Sequence, residues 1–234
     1  MTDARLVQKS CEEVFGSSRF RKILGMILTL GNRLNTAGPT GKVQADAFTL
    51  DTLPKLKQAK TFDKKTTFLH YLVRTIRKNN KILLNVKDDM PTVFKAEKVQ
   101  WKQLELEVER LEKDLDEVRK IALCSNVGGP GLMDDTQTLQ TSTISLAQEV
   151  ETLQETSVGR FTLDACLRLS TIVNEVTRAK SQFDGLLSYF GEEGTMDPDE
   201  LFGIVATFCR DFDRCLEEVV AREKSRVSFR ASFV

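Results

Sequence analysis

Few residues in this 234-residue sequence have the types and spacing that chemistry requires. The single histidine, His70, has no Asp, Glu or Cys three or four positions to either side, so its own helix supplies neither a second metal ligand nor a carboxylate to orient the ring. It is expected to serve packing or the surface. The five cysteines, Cys11, Cys124, Cys166, Cys209 and Cys215, are odd in number and include no CxxC pair, which reads as reduced thiols of a cytosolic protein. Gly128, Gly129 and Gly131 cluster without the Lys-Ser or Lys-Thr that a phosphate-cradling loop carries. Asp134-Asp135 and Glu192-Glu193 fall in or beside expected loops, where solvation keeps carboxylates ordinary. No GxGxxG, HExxH, GxSxG or EF-hand spacing occurs. The expectation is a protein that binds and does not catalyse, with no cofactor and no metal.

Charge narrows what it binds. Lys plus Arg and Asp plus Glu both total 34, which disfavours a surface built throughout for nucleic acid. One segment is locally basic: Lys55, Lys57, Lys60, Lys64, Lys65, Arg74, Arg77, Lys78 and Lys81 share their stretch with one acid, Asp63. Such a segment suits an acidic partner. Phe62 and Phe68 belong to an apolar stripe and are not free for base stacking. The apolar run Ile23 to Leu30 is too short to span a bilayer, and the N-terminus carries no apolar leader.

These residues must be positioned by helices, because five Pro, two Tyr and one Trp leave little strand and turn vocabulary. Leu6, Val7, Cys11, Val14 and Phe15 recur at helical steps up to Gly16. A second helix, capped by Ser18, carries Phe20, Ile23, Leu24, Ile27, Leu28 and Leu30 and ends at Gly31. Asn35 to Ala47 reads as an exposed loop, and Leu50, Leu53 and Leu56 as an apolar turn. Thr61 to Asn79 predicts a helix, Lys81 to Met90 a shorter one. Trp101, Leu104, Val108, Leu111, Leu115, Val118 and Ala122 step by threes and fours as in a coiled coil. Asn126 to Gly131 breaks that rod. Leu139, Leu146, Val150 and Leu153 resume the period, and a long stripe from Leu163 to Phe190 follows. Asp197-Pro198 opens the last helix, which buries Leu201, Phe202, Val205, Phe208 and Phe212. The fold class is all-α, an elongated helical bundle with a long coiled-coil-like helix. Residues 223–234 are expected to be a flexible tail; its Arg226-Val-Ser228 and Arg230-Ala-Ser232 are too short to assign a modification alone.

The run Phe20 to Asn35, ending Gly31-Asn32-Arg33-Leu34-Asn35, then Ala47-Phe48-Thr-Leu50, Leu53-Pro-Lys-Leu56 and Thr66-Thr-Phe-Leu-His-Tyr-Leu72, closely resembles the signature stretch of formin homology 2 domains. Tyr189-Phe190-Gly191-Glu192 with Pro198-Asp-Glu-Leu-Phe202 resembles that family's closing segment, so the likeness covers roughly residues 1 to 220. Arg33 and Leu34 stand where the family has an aromatic and then Met. The resemblance implies a partial domain over 1–222, with a post-like region at 1–90 and a coiled-coil bundle at 91–222. It implies that a second formin subunit's lasso wraps the post, with Gly31, Asn32 and Asn35 as the dimer contact, and that one of Lys55, Lys57 and Lys60 touches actin. Its function would be filament nucleation and processive barbed-end elongation, by positioning, in the cytoplasm and cytoskeleton. The family's lasso, linker and knob find no match here, so the chain alone is expected not to nucleate.

Three other readings stay open from the residues themselves. A non-actin scaffold would pair the seam from Trp101 to Ala122 with another coiled coil. A membrane-surface dimer would use the segment Lys55 to Lys81 on anionic lipid. A nucleic-acid binder ranks last.

Overall fold

The computed structural model describes residues 2–36, 44–60, 66–124, 146–192 and 196–231. No strand forms among them, and the all-α class holds. The helices are α1 (Asp3–Gly16), α2 (Ser18–Thr36), α3 (Phe68–Asn79), α4 (Val93–Ala96), α5 (Trp101–Cys124), α6 (Leu146–Glu155), α7 (Ser157–Phe190) and α8 (Pro198–Ala231), with 3-10 helices at Leu50–Lys57 and Lys81–Asp89. Two compact units result: Met1–Trp101 with Ala179–Val234, and Lys102–Arg178. The sequence boundary at residue 90 falls inside the first.

In the first unit α8 is the central element. It packs against α3, α4 and both 3-10 helices, while α1 lies on α4 and α2 on the second 3-10 helix. Its period places Leu201, Phe202, Val205, Phe208, Phe212 and Val219 on the buried side. Phe208 meets Phe20 of α2 with ring centroids 6.1 Å apart and Phe212 at 5.9 Å, and Phe202 meets Phe183 of α7 at 6.2 Å. Such tilted and edge-on pairs add to the area term that drives the core together. Pro198 occupies the first turn of α8, as the sequence predicts.

Several boundaries differ from the sequence reading. The cap of α2 is Ser17, not Ser18: its Oγ accepts from the Phe20 N–H at 3.0 Å and donates to Asp89 Oδ2 at 2.7 Å. Arg19 Nη1 donates to Asp89 Oδ1 at 2.5 Å, tying α2 to the second 3-10 helix. The helix passes through Gly31 and runs to Thr36, since one glycine costs a helix only about 1 kcal/mol. Helix α3 starts at Phe68, with Thr67 as its cap. The last helix continues to Ala231, so residues 223–231, expected as tail, have helical backbone. The expected break at Asn126–Gly131 lies outside the described residues, as do Lys64, Lys65 and Leu139.

In the second unit, Val108 and Ala122 of α5, Leu153 of α6 and Val176 of α7 are buried. The turn from α6 into α7 is tight: Thr156 Oγ1 accepts from the Gly159 N–H at 2.9 Å, and Gly159 lies so close to Leu153 that a Cβ there would sit 2.0 Å from the Leu153 carbonyl oxygen. The i,i+4 pair Asp116–Lys120, at 2.7 Å, laces the solvent face of α5.

Candidate interaction surfaces

The Gly31, Asn32 and Asn35 cluster sits on the last turn and a half of α2. Asn32 is turned inward to its own chain: Oδ1 accepts from the Ala45 N–H at 2.9 Å and Nδ2 donates to the Ala45 carbonyl at 2.8 Å. A side-chain amide thereby mimics a peptide group and pins the far end of the polar loop back on the helix. Asn35 is exposed and Gly31 half-buried.

The three candidate lysines follow along the next turn. Apolar Leu50, Leu53 and Leu56 are buried, whereas Lys55 and Lys60 are exposed and Lys57 is half-buried. Lys55 Nζ lies 2.7 Å from Asp51 Oδ2, and that ammonium holds the Asp51 carboxyl below the usual carboxylate range. Lys57 Nζ reaches Asp211 Oδ1 of α8 at 2.7 Å. Lys60 is exposed and makes no ion pair among the described residues. Its backbone forms an isolated antiparallel bridge with Thr67, and the Phe68 N–H donates to the Ala59 carbonyl at 2.7 Å, so the backbone around Lys60 is tied to the start of α3.

The basic segment is thus less free than its composition suggests. Besides Asp211, α8 brings Glu223 to Arg77 and Glu218 to His70. His70 is buried and oriented at both nitrogens: Nδ1 lies 2.7 Å from Thr67 Oγ1 and Nε2 2.8 Å from Glu218 Oε2. That contact is the largest cause holding the Glu218 carboxyl low. Glu218 is 148 positions away, so no local spacing could announce it. The arrangement is structural: Cys215 lies 4.0 Å from Nδ1, but burial pushes its thiol up to about 11, and Cys11 and Cys209 up to about 12. Such thiols are not nucleophiles at neutral pH. No cluster of metal-ligating residues occurs among the described residues.

The closing-segment motif has a physical reading. Gly191 adopts φ 68°, and the N–H groups of Gly191 and Glu192 donate to the carbonyls of Ser188 and Leu187 at 3.1 and 2.9 Å, which is a Schellman stop to α7. Glu192 Oε1 then accepts from the Leu50 N–H and so caps the lysine-bearing turn. Tyr189 is half-exposed and stacks edge-on with Phe15 of α1, centroids 4.8 Å apart.

A groove the sequence did not announce lies beside that pair. Cys11, Glu12 and Phe15 of α1 and Gln182, Gly185 and Leu186 of α7 enclose about 300 Å³. Phe15, one of the apolar residues that recur along α1, is 51% exposed. Gln182 Oε1 is buried and accepts no hydrogen bond from the described residues, an omission that costs on the order of 1–3 kcal/mol unless a donor arrives. A Cβ on Gly185 would meet nothing within 4 Å, so the groove is open there.

Against known proteins, the Formin Homology 2 Domain family matches residues 2–213. Formin-like protein 20 of Arabidopsis thaliana is 27% identical over 92% of this chain and 12% of its own length. Formin-A of Dictyostelium discoideum is 26% identical over 90% of the chain and 16% of its length, and Protein diaphanous homolog 3 of Homo sapiens 35% identical over 50% of the chain and 10% of its length. The chain therefore spans a small fraction of each relative, but the match extends from α1 to the middle of α8, and on that evidence it belongs to the formin homology 2 domain family.

Proposed function

We propose that this chain is an actin-binding part of a formin, acting in filament nucleation and processive barbed-end elongation by positioning subunits and not by covalent chemistry. The family match over residues 2–213 carries the reading. The place of action is the cytoplasmic actin cytoskeleton; among the described residues no helix is long and apolar enough to cross a membrane.

Lys60 is the foremost actin contact. The ammonium groups of Lys55 and Lys57 already face Asp51 and Asp211, whereas Lys60 is exposed and its own backbone is held by the bridge to Thr67. A second formin subunit docks on the first unit, serving as the post. Asn32, committed to Ala45, shapes the loop, while Asn35 offers its amide outward and the groove between α1 and α7 takes an aromatic side chain. An indole N–H would supply the donor that Gln182 Oε1 lacks.

Co-sedimentation with actin filaments tests the first claim. Wild-type chain is expected to pellet with filaments and Lys60→Glu to bind about tenfold more weakly, a loss of about 1.4 kcal/mol. Failure of the wild type to pellet would favour the scaffold reading.

A further inference from the structure

The end of α8 changes sign. Asp211, Asp213, Glu217 and Glu218 lie along its middle, but after Glu223 no acid follows, while Lys224, Arg226 and Arg230 do, with Arg222 just before it. Within this basic stretch the quartet Arg-x-Ser-Phe occurs twice in direct succession, at Arg226–Phe229 and Arg230–Phe233, and Ser225 has Arg222 three positions before it. Helix residues 221–225 are exposed. Among the described residues the Ser225 hydroxyl donates to the Ala221 carbonyl of its own helix, at 3.0 Å, and to no other element.

We propose that Ser225 and Ser228 are a phosphorylation site for an arginine-directed protein kinase, and that phosphate on Ser225 is read through Arg222 at the Glu218–His70 contact. Serine Oγ attacks the γ-phosphorus of a nucleoside triphosphate, the hydroxyl proton passes to the kinase's catalytic carboxylate, and the bond to the departing nucleoside diphosphate breaks. Residues 218, 222 and 225 follow one another along one face of the helix. Arg222 Nη2 is held loosely, 3.5 Å from Glu218 Oε2, the same oxygen that His70 Nε2 contacts at 2.8 Å. A phosphoserine brings a charge of about −1.5 to −2 and three strong acceptors, and guanidinium prefers a phosphate it can grip with two N–H groups. Arg222 then leaves Glu218 for the phosphate, and Glu218 keeps His70 as its partner. Four cations against one acid in residues 222–231 make this end positive; two phosphates cancel that charge.

The full chain is incubated with Mg·ATP and the catalytic subunit of a cyclic-nucleotide-dependent protein kinase, and the sites are read by tandem mass spectrometry. Phosphate is expected on Ser225 and Ser228, entering at least tenfold faster than in the Arg222→Ala/Arg226→Ala variant. No incorporation within 222–231, or an equal rate in that variant, overturns the site. Because His70 is the chain's one histidine, its imidazole proton resonance reports the second half without ambiguity. It is expected to move on phosphorylation of wild type and to stay put in phosphorylated Ser225→Ala. An unmoved resonance in chain carrying phosphate on Ser225 overturns the coupling.

Discussion

Single residues show how much of the surface was legible locally. Asn32 was recognisable as a polar residue with a purpose, but its partner, the Ala45 backbone, is fixed only once the loop folds back. His70 looked idle because its carboxylate comes from α8. Gly191 was visible only as part of a motif; its φ of 68° explains why glycine stands there, since a Cβ in the left-handed region costs about 1–2 kcal/mol. Gly191→Ala is therefore expected to lower stability to chemical denaturation by about that amount, and to loosen the Leu50 N–H that Glu192 caps, seen as faster amide exchange at Leu50. A second residue-scale effect depends on pH. Arg210 donates to both carboxylate oxygens of Glu97 at 2.8 Å, and this hydrogen bonding holds the Glu97 carboxyl below its ordinary 4.5. A depressed folded-state value means the stabilisation is complete above the ordinary value and is lost as pH falls through the lowered one. Glu97→Gln should cost about 1 kcal/mol at pH 7, and its stability should converge with wild type as the pH falls from the ordinary 4.5 through the lowered value. A constant gap across that range in urea titrations would show that the pair is not the source.

At the scale of elements, periodicity served well and punctuation served poorly. The stripes of α2, α5, α7 and α8 were plain from the spacing of Leu, Ile, Val and Phe, because burial on one face is what a helix needs from its sequence. Boundaries depended on tertiary partners: α2 ignores Gly31, and Ser17 rather than Ser18 caps it because Asp89 waits opposite. The basic segment misled for a related reason, as its counter-charges reside on a helix more than a hundred residues later. The α6–α7 turn offers the sharpest test of an element. With 2.0 Å between a Cβ on Gly159 and the Leu153 carbonyl oxygen, neither backbone can stay where it is. Gly159→Ala is expected to cost about 3 kcal/mol, at the upper end of overpacking, and to lower the unfolding midpoint of the α5–α6–α7 unit. Unchanged thermal unfolding by circular dichroism would mean that the turn is wider than this geometry.

For the whole molecule, the family resemblance carried more than composition. Neutral charge and missing catalytic motifs excluded functions without naming one, whereas Phe20 to Asn35 and Tyr189 to Glu192, far apart in sequence, point to one domain family. The structure gives that pairing a physical sense, for Phe20 and Phe190 meet with centroids 6.2 Å apart, and Glu192 caps the turn that follows the polar loop. What the sequence hid was the surface beside them. Gln182 reads as an ordinary polar helix position and Gly185 as a tolerated glycine, yet together with Phe15 they line the open groove. If a second subunit's aromatic side chain fills it, a small indole should fill it too. N-acetyl-tryptophan amide at millimolar concentration is expected to shift the Gln182 side-chain amide resonances. Gly185→Phe should abolish that response without unfolding the protein, because a Cβ at this position meets nothing within 4 Å. Were the amide resonances to ignore the indole in wild type, the groove would lose its claim as the aromatic socket, and the dimer contact would fall back on Asn35 at the end of α2.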